Sequence, residues 1–240
     1  MTLLKLSVTT RQMTRMAWGA AMIGVSVLGS AVTVAAQQDG RVFISVNGGL
    51  QASSTDFTDN IVFTEFLEEG DLDAAYSIDS GAVIDIGGGF KLLDNLGIGV
   101  GFSRFDTSND AAVDARIPHP FFYDRPRSIA GSATNLTRRE TAVHIQVRWF
   151  TSVLDQVDLS LFGGPTFFDI TQDLVTGVLF TQAYPFDTAT FPGTPPGRQS
   201  ASKVGFHVGA DVSYFFSGHV GVGGLVRFSR ATIDLLSQDG

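Results

Sequence analysis

Between Lys203 and Arg230 the chain alternates with a strict period of two. Val204, Phe206, Val208, Ala210, Val212 and Tyr214 take one parity, and Gly205, His207, Gly209, Asp211 and Ser213 take the other. A period of two puts successive side chains on opposite faces of a β-strand. Seven such runs follow one another: Arg41–Leu50, Tyr76–Leu92, Leu96–Phe105, Thr141–Phe150, Val157–Ile170 and the pair within Lys203–Arg230. Their connections alternate in length. Leu93–Asn95, Thr151–Gln156 and Phe216–His219 are short, whereas Gln51–Ala75, Asp106–Glu140 and Thr171–Ser202 are long. In an up-and-down sheet this places every tight turn at one end and every long loop at the other. The first long connection predicts a protruding hairpin turning at Glu69-Gly70. The prolines of the second, Pro118, Pro120 and Pro126, predict irregular chain there.

The two parities carry unusual chemistry. The bulky set, such as Ile98, Val100 and Phe102 or Val143, Ile145, Val147 and Trp149, has no charge. The opposite set is largely Gly and Ser. A soluble barrel, lipocalin-like for instance, turns its apolar parity inward and covers its outside with charged and hydroxyl side chains. Here small residues suit a crowded interior, and the bulky apolar face suits lipid. Aromatic residues gather near the strand ends, Phe90, Trp149, Phe150 and Tyr214 at the turn end and Phe102, Phe105 and Phe167 towards the loops. Such belts mark the two interfaces of a bilayer. Lipid offers no hydrogen bonds, so a spanning sheet must close on itself. The inward polar residues then include Ser45, Asn47, Asp85, Lys91, His144, Gln146, Arg148, Asp158, Ser160, His207, Asp211 and Arg227. In a lumen of about eight strands these side chains fill the space, and both charge signs must pair. A plug of salt bridges is one reading and a narrow conducting path the other. His144 and His207 read as hydrogen-bonded lumen histidines, with a metal or proton site as the sharper alternative.

The first 36 residues read as a secretory leader, with Lys5, Arg11 and Arg15 ahead of an apolar, small-residue stretch that ends Val34-Ala35-Ala36. Cleavage before Gln37 is expected, an uncleaved anchor being the alternative, and residues 37–240 form the barrel domain. Loss of the leader takes 16 basic residues to 13 against 24 acidic ones, and the net charge from −8 to −11. So acidic a chain lacks the basic footprint of a nucleic-acid binder. With no cysteine in the chain, disulfides and thiolate metal sites are excluded. No phosphate loop, nucleophile elbow or metal-ligand spacing is present, so neither a cofactor nor catalytic residues are expected. One loop segment, Arg116–Arg127, concentrates Arg116, Phe121, Phe122, Tyr123, Arg125 and Arg127. It reads as a cap folded back over the barrel, or as a contact surface for lipopolysaccharide phosphates or a cell-surface partner.

On the leader, the alternating runs, the short-turn and long-loop rhythm and segments such as VIDIGGGFKLLDNLGIGVGFSRF, the chain resembles bacterial outer-membrane β-barrel proteins of the small OmpA/OmpX-like type. The resemblance implies an all-β, antiparallel, up-and-down transmembrane barrel of the eight-stranded type in the outer membrane of a Gram-negative-type bacterium, working as a monomer in the lipid bilayer. It implies a structural or surface-interaction role, with a porin-like channel second and a lipid-modifying barrel enzyme third. Only seven strands are visible in the sequence. The eighth is therefore expected to be missing, leaving the first and last runs with unpaired edges.

Overall fold

Each alternating run carries a strand, although the second is divided, Tyr76–Ile78 ending one strand and Gly81–Leu93 forming the next, and most strands continue well past the residues that the alternation marks. The computed structural model describes residues 20–33, 41–52, 55–78, 80–194, 196–217 and 220–233. In chain order the strands are β1 (Ala20–Thr33), β2 (Val42–Ala52), β3 (Thr55–Glu65), β4 (Glu68–Ile78), β5 (Gly81–Leu93), β6 (Leu96–Ile117), β7 (Arg127–Leu154), β8 (Val157–Val175), β9 (Leu179–Gln182), β10 (Ala189–Gly193), β11 (Pro196–Ser217) and β12 (Val220–Ile233). Among the described residues there is no helix.

One antiparallel sheet runs β3-β4-β6-β5-β2-β1-β12-β11-β8-β7, and β7 also pairs with β6. The order therefore returns on itself, and β6, β5, β2, β1, β12, β11, β8 and β7 form a ring. The expectation of seven strands with two free edges is overturned. Its eighth place is held by β1, from the stretch that the sequence reading assigns to the leader, paired with β12 on one side and β2 on the other. The physical reason is compositional: an apolar, small-residue leader has the same make-up as a lipid-facing strand, and the gap between β2 and β12 presents unpaired backbone that must be satisfied. Both ladders of β1 are interrupted, between Leu28 and Ala31 against β12 and between Val27 and Val32 against β2. By contrast β8 and β11 pair without a break from Val175↔Pro196 to Val157↔Tyr214. The expected cleavage position after Ala36 and the Gly218-His219 part of the last turn lie outside the described residues.

A change of polarity on the outer face divides the ring into two zones. In the lower zone Ile84, Ile98, Val100, Ile145, Val147, Val204, Val208 and Val212 point outward and are exposed. One row, Phe102↔Val143, Val143↔Phe167 and Phe167↔Val204, closes this zone. The next outward row is Arg104↔Thr141, Thr141↔Asp169 and Asp169↔Ser202. Above it Asp106 accepts from Arg104 Nε (2.7 Å) and Arg139 Nε (2.6 Å), and Ser202 Oγ donates to Asp169 (2.8 Å). The outward face passes from apolar to ionic within one pair of residues, which fixes the edge of a hydrocarbon layer. From Val204 to Tyr214 at about 3.3 Å per residue the apolar stretch of β11 is about 33 Å long. Tilted by about 40°, it spans about 25 Å, the height of a bilayer-facing band.

Above that edge the rule inverts and the interior becomes apolar. Ala111, Val113, Ala115 and Ile117 of β6, Ile129, Ala133 and Leu136 of β7, Ile61 and Phe63 of β3, Leu72 and Ala74 of β4, and Leu174, Val175, Val178 and Phe180 form one buried cluster. Two of the long connections expected as loops are thus strand extensions around a second core. The β3–β4 hairpin joins this extension through β4 and β6, and small strands β9 and β10 pair beside it. The hairpin turns at Phe66-Leu67, where Glu65 pairs with Glu68, and not at Glu69-Gly70. Gly70 is instead a strand residue: a Cβ there would lie 2.6 Å from the Phe63 ring and 2.7 Å from the Arg116 carbonyl oxygen. The proline segment between β6 and β7 is irregular, as its sequence predicts.

Candidate functional site

Two places combine unusual chemistry: the lumen of the lower zone and the outer tip of the extension. In the lumen, Asp85, His144, Gln146, Arg148, Ser160, His207, Asp211 and Arg227 are buried, together with Ser45 and Asn47. Arg227 donates to the Asp85 carboxylate (2.5 Å) from across the ring, and Asn47 Nδ2 donates to the other Asp85 oxygen (3.3 Å). Arg227 also donates to His144 Nε2 (3.1 Å). That nitrogen must then carry a lone pair, so His144 bears its proton on Nδ1. His144 Nδ1 donates to Thr166 Oγ1 (2.9 Å), and the Thr166 hydroxyl is left to donate to His207 Nδ1 (2.8 Å). The order of donors runs one way, from Arg227 to His207, and puts the His207 proton on Nε2. Ser103 Oγ completes the set at 2.9 Å from His144 Nε2.

Below this layer the turn end is filled by aromatic rings and cations. The Arg148 guanidinium lies over Phe43 (5.2 Å) and Phe162 (4.7 Å) and donates to Ser160 Oγ (3.1 Å). Lys91 Nζ sits over Phe150 (4.9 Å), and Phe150 meets Phe43 edge to face. The glycine stripe makes room for these rings: a Cβ on Gly209 would lie 2.4 Å from Phe162. Val83, Phe105, Phe162 and Leu225 form one buried apolar cluster beside the polar layer. Higher up, Arg138 Nε donates to Glu140 (2.6 Å) in a buried pair.

Most of the sequence-predicted lumen residues therefore meet in one network. Two do not: Lys91 and Asp158 sit at the turn-end rim, Asp158 accepting from Ser152 Oγ (2.7 Å). Asp211 is buried with the rest, but its hydrogen-bond donor is Ser213 (2.9 Å), and the direct ion pair belongs to Asp85 and Arg227. Ser103 and Thr166, which bridge the histidines, were missed because single hydroxyls on a Gly-rich parity carry no signal of their own. The Arg138–Glu140 pair was missed because those residues read as loop.

At the outer tip the arginines of the 116–127 segment separate. Arg116 Nε donates to Asp71 (2.8 Å). Arg127 is buried over Phe180 and donates to the Pro118 carbonyl (2.7 Å), Gln182 Oε1 (2.6 Å) and the Phe186 carbonyl (3.1 Å). Burial pushes this guanidinium below its usual range, with Glu65 acting the other way. Arg127 is a brace and is withdrawn from the basic phosphate-contact surface expected of Arg116, Arg125 and Arg127, whereas Arg116 is ion-paired but exposed and Arg125 lies over Phe122 (5.5 Å). The aromatic members do share a surface. Buried His119 accepts from the Phe121 and Phe122 backbone N–H groups on Nδ1 (3.1 and 3.2 Å), which shapes the turn. Asp124 N–H donates to Glu68 Oε1 (2.6 Å), which ties this loop to the β3–β4 turn. Phe121 meets Phe186 edge to face (5.4 Å), and Tyr184 lies beyond it (6.1 Å).

Comparison with known proteins returns one family. A family model described as outer membrane protein beta-barrel domain matches residues 22–238. No curated protein matches. Among solved structures, a bacterial polysaccharide outer membrane secretin is 9% identical, with 90% of this chain and 99% of that chain covered, at a TM-score of 0.13.

Proposed function

The chain belongs to the outer membrane protein beta-barrel domain family, and from that premise we propose that it is a closed, non-catalytic barrel serving as a pedestal for an outward-facing interaction surface. The observation that carries the reading is the set of contacts crossing the lumen: the Asp85–Arg227 pair, the His144–Thr166–His207 chain and the Arg148–phenylalanine stack. A buried charge pair held this way is costly to part, which supports a lumen closed to ions. Short turns of small outer-membrane barrels face the periplasm and longer loops the exterior, which points the extension and its aromatic tip outward. The Ser103–His144 contact does not support hydrolysis. His144 Nε2 already accepts from Arg227, and its Nδ1 faces a threonine hydroxyl where a triad places a carboxylate. Planar-bilayer recording of the refolded protein tests the proposal: silence is expected, and steady single-channel steps would overturn it.

A narrow channel is the second reading, and one observation favours it. Among the described residues, Gln146 Oε1, Arg148 Nε, His207 Nε2 and Asp211 Oδ2 are buried without a hydrogen-bond partner in the same lumen. Groups of this kind suit a wetted interior. Its signature is the same recording with the opposite outcome.

A further inference from the structure

Among the described residues, five non-glycine residues have positive φ, and four of them lie at the outer tip: Phe66 (50°), Leu67 (68°), Asp124 (55°) and Phe186 (71°). Bulky side chains avoid this region of backbone space, and such strain gathers where a surface is used. Phe66 packs on the second core, but the other large apolar side chains on and beside these turns stand clear of it. Leu67 is 96% exposed, Tyr123 and Tyr184 are each 85% exposed, and Phe121 is 70% exposed. The turns that carry them are braced by Arg127 and by the Asp124–Glu68 contact, which fixes the backbone that presents these groups. An exposed apolar patch on a fixed platform marks a binding surface.

The charges around it narrow the occupant. Glu68, Glu69, Asp71, Asp124 and Asp187 lie on or next to the turns that carry the patch, against Arg116, which is paired with Asp71, and Arg125, which lies over Phe122. A surplus of carboxylate repels anionic lipid. Aromatic rings beside carboxylates suit quaternary ammonium groups, and Tyr and Phe are residues of membrane interfaces. The residues stand on three turns that are tied together by the Asp124–Glu68 and Phe121–Phe186 contacts, so they present one convex surface, a shape that suits a membrane.

We propose that the tip docks on a membrane whose facing leaflet presents choline headgroups, with Leu67, Phe121, Tyr123 and Tyr184 entering the interface while the carboxylates face the ammonium groups. This rests on the surface-interaction reading above, and its test is separate from the conductance test. The full chain, held in phosphatidylglycerol nanodiscs, is mixed with sucrose-loaded vesicles of phosphatidylcholine or of phosphatidylglycerol and sedimented. Binding to phosphatidylcholine vesicles is expected, at least about tenfold tighter than to phosphatidylglycerol. Phe121→Ser combined with Tyr123→Ser should weaken it at least about tenfold. Retained heat-modifiable migration of the variant shows that the barrel still folds, and Ser132→Ala on the flank of the extension should bind like the wild type. Absence of binding to phosphatidylcholine, equal binding to both vesicle types, or undiminished binding by the folded double variant would each overturn the proposal. Capture of a purified protein by a tip that ignores both vesicles would do so as well.

Discussion

Replacing Asp85 with leucine removes the carboxylate that Arg227 meets at 2.5 Å, in a pair whose side chains are 5% and 2% exposed. Arg227 would then be a buried cation facing only neutral acceptors. Breaking one side of such a pair costs about 3–5 kcal/mol, and the lost Asn47 contact adds about 1 kcal/mol at most. The neighbouring Ile86→Leu, one residue along β5 on the lipid face, exchanges equal volumes and should cost less than about 1.5 kcal/mol. The double variant Asp85→Leu, Arg227→Met takes out both charges, and His144 Nε2 keeps Ser103 as a partner. It should recover most of the loss, because no unpaired charge stays behind. Urea unfolding in detergent micelles, followed by Trp149 fluorescence and by the heat-modifiable band, gives the three free energies. The reasoning fails if Asp85→Leu costs no more than Ile86→Leu. It fails equally if the double variant is as unstable as the single one.

Gly209→Ala should cost about 1–3 kcal/mol, since its Cβ would meet the Phe162 ring at 2.4 Å and the Val226 carbonyl oxygen at 2.6 Å. Gly48→Ala, with nothing within 4 Å, should be neutral, and equal effects in the same urea assay would refute the tight inner wall. The Asp173 carboxyl, in the extension, is held below the usual carboxylate range chiefly by Arg198 and then by Thr137. Its contribution is therefore complete above the ordinary carboxylate value of about 4 and is lost as pH falls through the depressed one. Acid should loosen the extension in wild type and less so in Asp173→Asn, as read by proteolysis of the outer strands. Amide exchange along β2 at Asn47–Gly49 should outpace exchange in β8 and β11, because the β1–β2 ladder is interrupted there and the β8–β11 ladder is not. Equal protection would contradict the seam.

The lower zone was legible because two signals coincide in it. Alternation names the strands, and Gly opposite Val or Ile names the face that meets lipid, as Gly97, Gly99 and Gly101 beside Ile98, Val100 and Phe102 show. The extension was not legible, since its inward residues on β6 are Ala111, Val113 and Ala115 between Asp110, Ala112 and Asp114. Small inward and acidic outward positions resemble a solvated loop until a second layer covers them. The hairpin turn was misplaced because Glu-Gly looks like a turn while Phe66-Leu67 does not, and only the tertiary packing of Phe63 over Gly70 explains the difference. In the lumen, parity named the residues but not the partners, which depend on which strands face each other across the ring. The place of β1 could not be read at all, because a secretory leader and a lipid-facing strand share one composition.

The inversion of polarity along β7 also sets a distance. From Thr141, the first outward polar residue, back to Arg127, the strand covers about 46 Å at about 3.3 Å per residue, or about 35 Å along the membrane normal at a tilt of about 40°. The molecule rises above the hydrocarbon by about as much as a bilayer core is thick. At physiological ionic strength, charge on a surface is felt over about 8 Å. Anything docked at the tip is therefore held several screening lengths above the membrane in which the barrel sits, so the charge of that membrane's own surface has little say in what the tip accepts.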